Sequence, residues 1–503
     1  MKDDSSFSRR QFLQTTALGT IGVSLGPYFA FGASGVRRPK TRSMGRLHFD
    51  ATTLGLGGQA SLQWTPDDVD PVKIILKAHS LGINYFDTSN VYGPSQSNYG
   101  KAFRELHLVP GQAGYKESVR RAIFLTTKTG LRWAKGGWKK EGLGNFTSGP
   151  EGSHTVDDIK RSLTLMFGDG QGNYPPGAYL DMVLLHSISS MADVDAAYEG
   201  LEHPDPHAEN IGALAVLVDY RDGTNLTGLN PKEEKLVRHI GFSGHHSPAV
   251  MMEMVQRDQR NILDGMLVAI NANDRLNFNM QYNVIPVAAE KNMGLIAMKV
   301  FADGAMYTKE ARWSRTPSDV VRTVGSERLA SRSLVEYTLT TPGIHTAIIG
   351  TGHISEDEKA CQLCQNLSAA QIAEKGLTHI DRRAIEKPAN AVKDGKTNYF
   401  QVEEQALTAP REAVVEADTR DRGRVVRLKW QTAYAGNEPI TGYEIWRDQR
   451  KISQVSHAPQ TSKRPFVFEE VLRDKTAHHY QIKTVDAAGR TAPTGDLLLA
   501  GQA

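Results

Sequence analysis

The chain has 503 residues with a formal net charge of +3, 40% hydrophobic and 23% charged, an ordinary globular composition in a length too great for one typical domain. Acidic and basic residues are interspersed along it, which excludes the concentrated positive footprint of a nucleic-acid-binding protein. Only two cysteines are present, Cys361 and Cys364, so neither a disulfide framework nor a four-thiolate metal or iron–sulfur site can organise the fold.

In chain order, residues 1–33 come first. Ser8-Arg9-Arg10-Gln11-Phe12-Leu13 precedes an uncharged, mildly apolar stretch from Thr15 to Ala33, diluted by Gly19, Gly22, Gly26 and Pro27. Paired arginines before so weak an apolar run resemble a twin-arginine export signal and do not suit a permanent membrane span. Cleavage is expected near Ala33, and the mature protein is expected to be periplasmic or otherwise extracytoplasmic. Residues 34–46 read as a linker.

From Leu47 onward, short apolar runs alternate with longer amphipathic ones. Strands are predicted at Thr53–Gly57, Asn84–Thr88, Ile123–Lys128, Met182–His186, Ile240–Gly244, Met266–Asn271, Leu295–Val300 and Thr346–Gly350, eight in all. Helices are predicted between most of them, among others at Asp68–Ser80, Val156–Phe167, Pro248–Arg257, Ile285–Asn292 and Ser331–Thr340. Strand–helix alternation implies a parallel sheet, and eight repeats imply a closed (β/α)8 TIM barrel over residues 47–395. An open doubly wound sheet would want a GxGxxG turn after its first strand. Gly55-Leu56-Gly57-Gly58 stands there, but Leu62 occupies the place of the third glycine.

Two stretches exceed a minimal barrel. Leu131–Ser153 and Gly168–Tyr179 read as loop insertions, and the first, following a strand, is expected on the catalytic face. Leu367–Glu404 reads as mixed helix and coil over the barrel, with residues 396–409 as a linker. After Pro410 the period becomes two, as in Val425-Val426-Arg427-Leu428-Lys429-Trp430 and Tyr480-Gln481-Ile482-Lys483-Thr484-Val485. Residues 410–503 are therefore expected to form a small all-β, immunoglobulin-like sandwich. With Pro439-Ile440-Thr441-Gly442-Tyr443-Glu444-Ile445, these runs resemble a fibronectin type III domain. That resemblance implies spacing, adhesion or ligand display, with a polysaccharide or a protein as the partner; an inert appendage is the alternative.

The chemistry of a barrel gathers at the C-terminal ends of its strands. There the second predicted strand ends in Asp87, the third in Lys128 and the fourth in His186, each after an apolar run. One such residue would simply mark a strand end; three on consecutive strands suggest a site. Five residues beyond Asp87, Tyr92 falls in the loop over the mouth. A phenol is a useful proton donor when its acidity is raised. A nearby ammonium is expected to do that, with a carboxylate to anchor it.

Asp87-Thr88-Ser89-Asn90-Val91-Tyr92-Gly93, Thr127-Lys128 and Leu184-Leu185-His186 together resemble the aldo-keto reductase family, over roughly Leu47 to Asn366. The resemblance implies a catalytic tetrad: Tyr92 as general acid–base, Lys128 lowering its pKa, Asp87 paired with Lys128, and His186 orienting a carbonyl. It also implies hydride transfer with NADP or NAD and no metal. Residues expected toward the cofactor are Gly58, Asp87, Ser243, Asn273, Lys299, Gly350, Thr351 and Gly352, the last three forming a backbone cradle for phosphate.

The sequence also departs from that family. Gly244-His245-His246 follows Ser243 where relatives carry Asn, and Ala269-Ile270-Asn271-Ala272-Asn273 keeps only the final Asn of strand six. Ser355-Glu356-Asp357-Glu358 brings acid toward the adenosine end, which favours NAD over NADP or a weakened grip on both. The adjacent His245 and His246 should point to opposite faces of a strand and so not share a ligand. Cys361 and Cys364 read as buried residues one helical turn apart. Two functions follow: an oxidoreductase acting on a small carbonyl or alcohol, with sugar-derived carbonyls preferred, or an exported carbohydrate- or ligand-binding protein built on a reductase barrel.

Overall fold

In the computed structural model, the described residues are 38–137, 142–323, 325–372, 376–403, 406–420 and 423–502. The segment read as a twin-arginine signal lies outside them. Eight short runs of large and β-branched residues close into a parallel barrel in chain order. They are β1 Leu54–Gly57, β2 Tyr85–Asp87, β3 Phe124–Thr129, β4 Leu180–Leu185, β5 Val237–Gly244, β6 Leu263–Ala269, β7 Gly294–Met298 and β8 Thr346–Gly350. Each coincides with a predicted strand. β3 and β4 are buried along their whole length, as expected where helices cover one face and barrel side chains the other. The covering helices include α1 Pro71–Ser80, started by Pro71 and capped by Asp70, and α2 Thr155–Phe167.

Part of the expected linker 34–46 is structured. Thr41–Ser43 pairs antiparallel with Asp50–Thr52 ahead of β1. Gly45, at φ +52°, closes this hairpin where a Cβ would fall 2.4 Å from Asn292 O, so only glycine fits.

The C-terminal strands form two antiparallel sheets. β9 Arg411–Arg420, β10 Gly423–Gln431 and β13 Phe466–Leu472 make one; β11 Ile440–Arg447, β12 Arg450–Ser456, β14 His478–Asp486, β15 Thr491–Pro493 and β16 Leu497–Leu499 make the other. Leu428 and Trp430 from the first share one core with Tyr443, Ile445, Tyr480 and Ile482 from the second, the sandwich arrangement that the period of two requires.

The segment between barrel and sandwich is not free chain. Thr397, Asn398, Phe400 and Gln401 are buried, and Val402 N–H donates to His246 O. The sandwich is docked through side chains. Asn283 bonds both N–H and C=O of Ala435, Arg275 donates to Asn437 O, Arg383 pairs with Glu438 and Lys463 with Glu253. The Phe278 and Tyr434 rings meet edge to face at 4.8 Å.

Candidate active site

Register gathers the ionisable residues. Asp87 pairs with Thr126 across β2 and β3. Lys128 is two residues beyond Thr126, hence on the same face, and pairs with Leu184 across β3 and β4. His186 lies two residues beyond Leu184. Each strand thus carries its functional residue two positions further along than its neighbour, and strand tilt returns all three to one height at the mouth.

There Lys128 Nζ donates to Asp87 Oδ1 at 2.7 Å, to Asp87 Oδ2 at 2.6 Å and to Thr88 O at 2.8 Å. All three ammonium hydrogens are spent, and both side chains are buried. Burial pushes the Asp87 carboxyl up and the Lys128 ammonium down, each opposed by the other's charge. Lys128 Nζ lies 4.8 Å from the centre of the Tyr92 ring, so it acts on the phenol through space and not through a hydrogen bond.

Tyr92 follows β2 in a tight loop, its N–H bonded to Ser89 O. Tyr92 Oη meets His186 Nε2 at 3.5 Å, and His186 Nδ1 meets Ser89 Oγ at 3.2 Å. Burial, then Asp87 and Asp303, push the Tyr92 phenol well above its ordinary range, so it keeps its proton. Burial first, then Lys128 and other nearby cations, hold His186 well below the usual imidazole range and therefore neutral. The long insertion does reach this face, with the Phe146 ring 5.1 Å from that of His186.

Beside the tetrad lies a cleft lined by the ends of β1, β7 and β8 and by the loop after β7. Of the expected cofactor residues, Gly58, Asp87, Lys299 and Gly350 line it; Ser243, Asn273, Thr351 and Gly352 do not. Ser243 Oγ accepts from Ser187 N–H at 2.9 Å. Asn273 is fully buried and donates to Thr397 Oγ1 and Ala389 O; it fastens the C-terminal helix His379–Asn390 instead of facing the cleft. Lys299 is no solvated rim lysine: its Nζ lies 3.4 Å from Gln59 Oε1 and 4.2 Å from the centre of the Trp313 ring.

The expected backbone cradle after β8 is engaged in part, at Gly352. Gln362 Oε1 accepts from Gly352 N–H at 2.6 Å and His353 N–H at 3.3 Å. Its Nε2 reaches Val321 O and Thr323 O in the loop after β7. Sequence reasoning missed Gln362, Ser89, Asp303 and Tyr307. Ser89 stood inside the motif containing Asp87; the others had no local signal, because long-range packing alone brings them to the cleft. His245 is buried and His246 half-buried, but both lie in the bend beyond the end of β5 and not on the strand as expected. Burial holds His245 well below the usual imidazole range, and its ring meets Trp313 at 5.2 Å. Among the described residues no group of three or more His, Cys, Asp or Glu side chains is placed to hold a metal ion.

A closed parallel barrel with an acid–ammonium pair, a phenol and a neutral imidazole gathered at one mouth places the molecule among the α/β barrels with a functional C-terminal face. A model of the aldo/keto reductase family matches residues 53–374, and the chain belongs to that family. It is 22% identical over 368 residues to the uncharacterized oxidoreductase YqkF of Bacillus subtilis, covering 69% of this chain and 95% of that protein. Solved structures similar to it include a putative aldo-keto reductase from Pseudomonas aeruginosa (20% identity, TM-score 0.40, covering 66% of this chain and 96% of that one). Another is an aldo/keto reductase from Klebsiella pneumoniae in complex with NADP and acetate (15% identity, TM-score 0.41, covering 69% and 95%).

Proposed function

We propose that this protein is a nicotinamide-dependent oxidoreductase that interconverts a small carbonyl compound and its alcohol, with Tyr92 as the proton donor. The observation that carries the reading is the convergence of Tyr92 Oη and His186 Nε2, 3.5 Å apart, above the buried Asp87–Lys128 pair and beside the cleft. A substrate oxygen between those two atoms would accept one hydrogen bond from each. Ser89 O–H donating to Nδ1 leaves the Nε2–H of His186 facing that oxygen. Tyr92 surrenders its proton as the oxygen becomes a hydroxyl, and the Lys128 charge steadies the phenolate left behind. Asp87 keeps Lys128 charged in a buried place where a lone ammonium would lose its proton.

The residues present fit a nicotinamide dinucleotide in its reactive half. The cleft opens beside Tyr92 and Asp87, Lys299 would supply a cation for the diphosphate, and Tyr307 Oη is buried there with no hydrogen-bond partner among the described residues. When bound, the nicotinamide supplies or accepts the hydride. The other half is less open, since Gln362 holds Gly352 N–H, one of the groups expected to receive phosphate, and the next N–H, that of His353. The exposed Glu356 and its acidic neighbours support NAD over NADP. Trp313 and Phe146 offer flat apolar faces near the mouth, which suits a sugar-derived substrate.

Tyr92→Phe tests this. It should retain NADH or NADPH binding, read by fluorescence, and lose about a hundredfold or more in turnover of aldehydes, ketones and sugars. Undiminished turnover would end the proposal. The partly engaged cradle favours the second reading, a ligand-binding protein that has given up cofactor use; absence of any nucleotide binding by the wild type would establish it. The N-terminal segment supports export of the folded enzyme by the twin-arginine route, and a reporter fused to residues 1–40 should leave the cytoplasm. The fibronectin type III-like motifs support a spacing or polymer-contact role for residues 410–503.

A further inference from the structure

Cys361 and Cys364 take no part in the chemistry above, yet Gln362, next to Cys361, borders the cleft. Cys361 is the N-cap of an eight-residue helix, Gln362–Ala369, and Cys364 sits in its first turn. This spacing sets the two side chains beside each other on one turn, with the Lys77 ammonium nearby. Both thiols are buried. Next to them in the chain runs the short, largely exposed segment 355–360, tied down by Lys77 Nζ on Ser355 O and by Gln365 Nε2 on Glu358 O.

The two thiols are unequal. Cys364 and the neighbouring N–H groups push the Cys361 thiol down to about 5. Cys364, beside a developing thiolate, is pushed the other way. A thiolate at a helix N-terminus next to a protonated partner is the arrangement of a nucleophile and a resolving thiol.

We propose that Cys361 and Cys364 form a reversible dithiol–disulfide site that shifts Gln362, and with it the closure of the cleft between β8 and the loop after β7. The oxidant is a disulfide, low-molecular-weight or protein-borne. The Cys361 thiolate attacks one sulfur of that disulfide, forming a mixed disulfide and expelling a thiolate. The expelled thiolate takes the proton of Cys364. Cys364 then attacks Cys361 Sγ and expels the second thiol. Two cysteine thiols are oxidised and one external disulfide is reduced to two thiols. Drawing the two sulfurs to the bonded length of about 2.0 Å moves the N-cap and first turn toward each other. Gln362 lies between them, and its carboxamide is the bridge from Gly352 and His353 to Val321 and Thr323.

The test uses the full chain, first reduced, then incubated with oxidised glutathione, unfolded and alkylated before intact mass measurement. The expected product is lighter by two hydrogens and takes up no alkyl group, whereas Cys364→Ser stops at one glutathione on Cys361. Two alkylatable thiols after incubation, or two glutathione adducts, would overturn the proposal and leave the cysteines as buried helix residues. Amide hydrogen exchange of the peptide containing Gly352 and His353 reads the link to Gln362. It should rise about tenfold on oxidation of the wild type and not in Cys361→Ser; no change in the oxidised wild type would overturn the link. Neither readout involves nucleotide or turnover, so its failure is distinct from failure of the oxidoreductase reading.

Discussion

Lys128 spends its three hydrogens on Asp87 and Thr88, so the pair behaves as one buried unit. Removing one member leaves the other charge stranded. Lys128→Met should therefore lower stability by about 3–5 kcal/mol as well as abolish activity, whereas Tyr92→Phe should leave the unfolding midpoint nearly unchanged. Denaturant titration of the two variants checks this; equal midpoints would mean that the pair carries no net stability. The sequence named the four tetrad residues because each terminates an apolar strand or sits in its exit loop. What surrounds the phenol was not legible in the sequence: burial and the carboxylates Asp87 and Asp303 hold its pKa up.

At the level of elements, the loop after β7 decides how open the cleft is. A Cβ on Gly352 would fall 2.5 Å from Val321 O and 2.9 Å from Val320 Cγ1, so backbone stands in its way. Gly352→Ala should push residues 320–323 outward. Hydrogen exchange in that segment should rise while barrel strands stay protected, and unchanged exchange would show that the segment can yield without opening. The strands were legible because apolar runs bounded by turn residues recur eight times. The partly engaged cradle was not: Gly350-Thr351-Gly352 reads as a phosphate loop, and nothing local reveals that Gln362 holds Gly352.

At the scale of the whole molecule, the sandwich is fastened to the barrel by buried side chains, Asn283 foremost. Barrel and sandwich should unfold in one thermal transition, and Asn283→Ala, which leaves Ala435 N–H and C=O unpaired, should separate it into two. Calorimetry distinguishes the cases; two transitions in the wild type would mean the contact is weak. Acid stability follows from buried imidazoles. Burial brings His345 and His457 down to about 4, against about 6.5 when unfolded. Between those values the unfolded chain takes up protons that the fold refuses, so this stability is complete above about 6.5 and lost as pH falls toward about 4. Asp274 works oppositely. Burial pushes its carboxyl up to about 6, so its contribution is complete below about 4 and lost as pH rises through 6. Two imidazoles outweigh one carboxyl of similar shift, and the melting temperature should be lower at pH 5 than at pH 7. A higher value at pH 5 would reverse that assignment.

Hydrophobic period and strand-end chemistry are local properties, so the sequence by itself determined the barrel, the β-sandwich and the candidate tetrad. Which groups share a cleft, which carboxylates face a phenol and which amide occupies a backbone cradle depend on residues far apart in the chain. Only the tertiary structure decided those, because burial and electrostatic field are sums over neighbours that no stretch of sequence contains. The same holds for the two cysteines: their spacing could be read from the chain, but their place beside the bridge that closes the cleft could not.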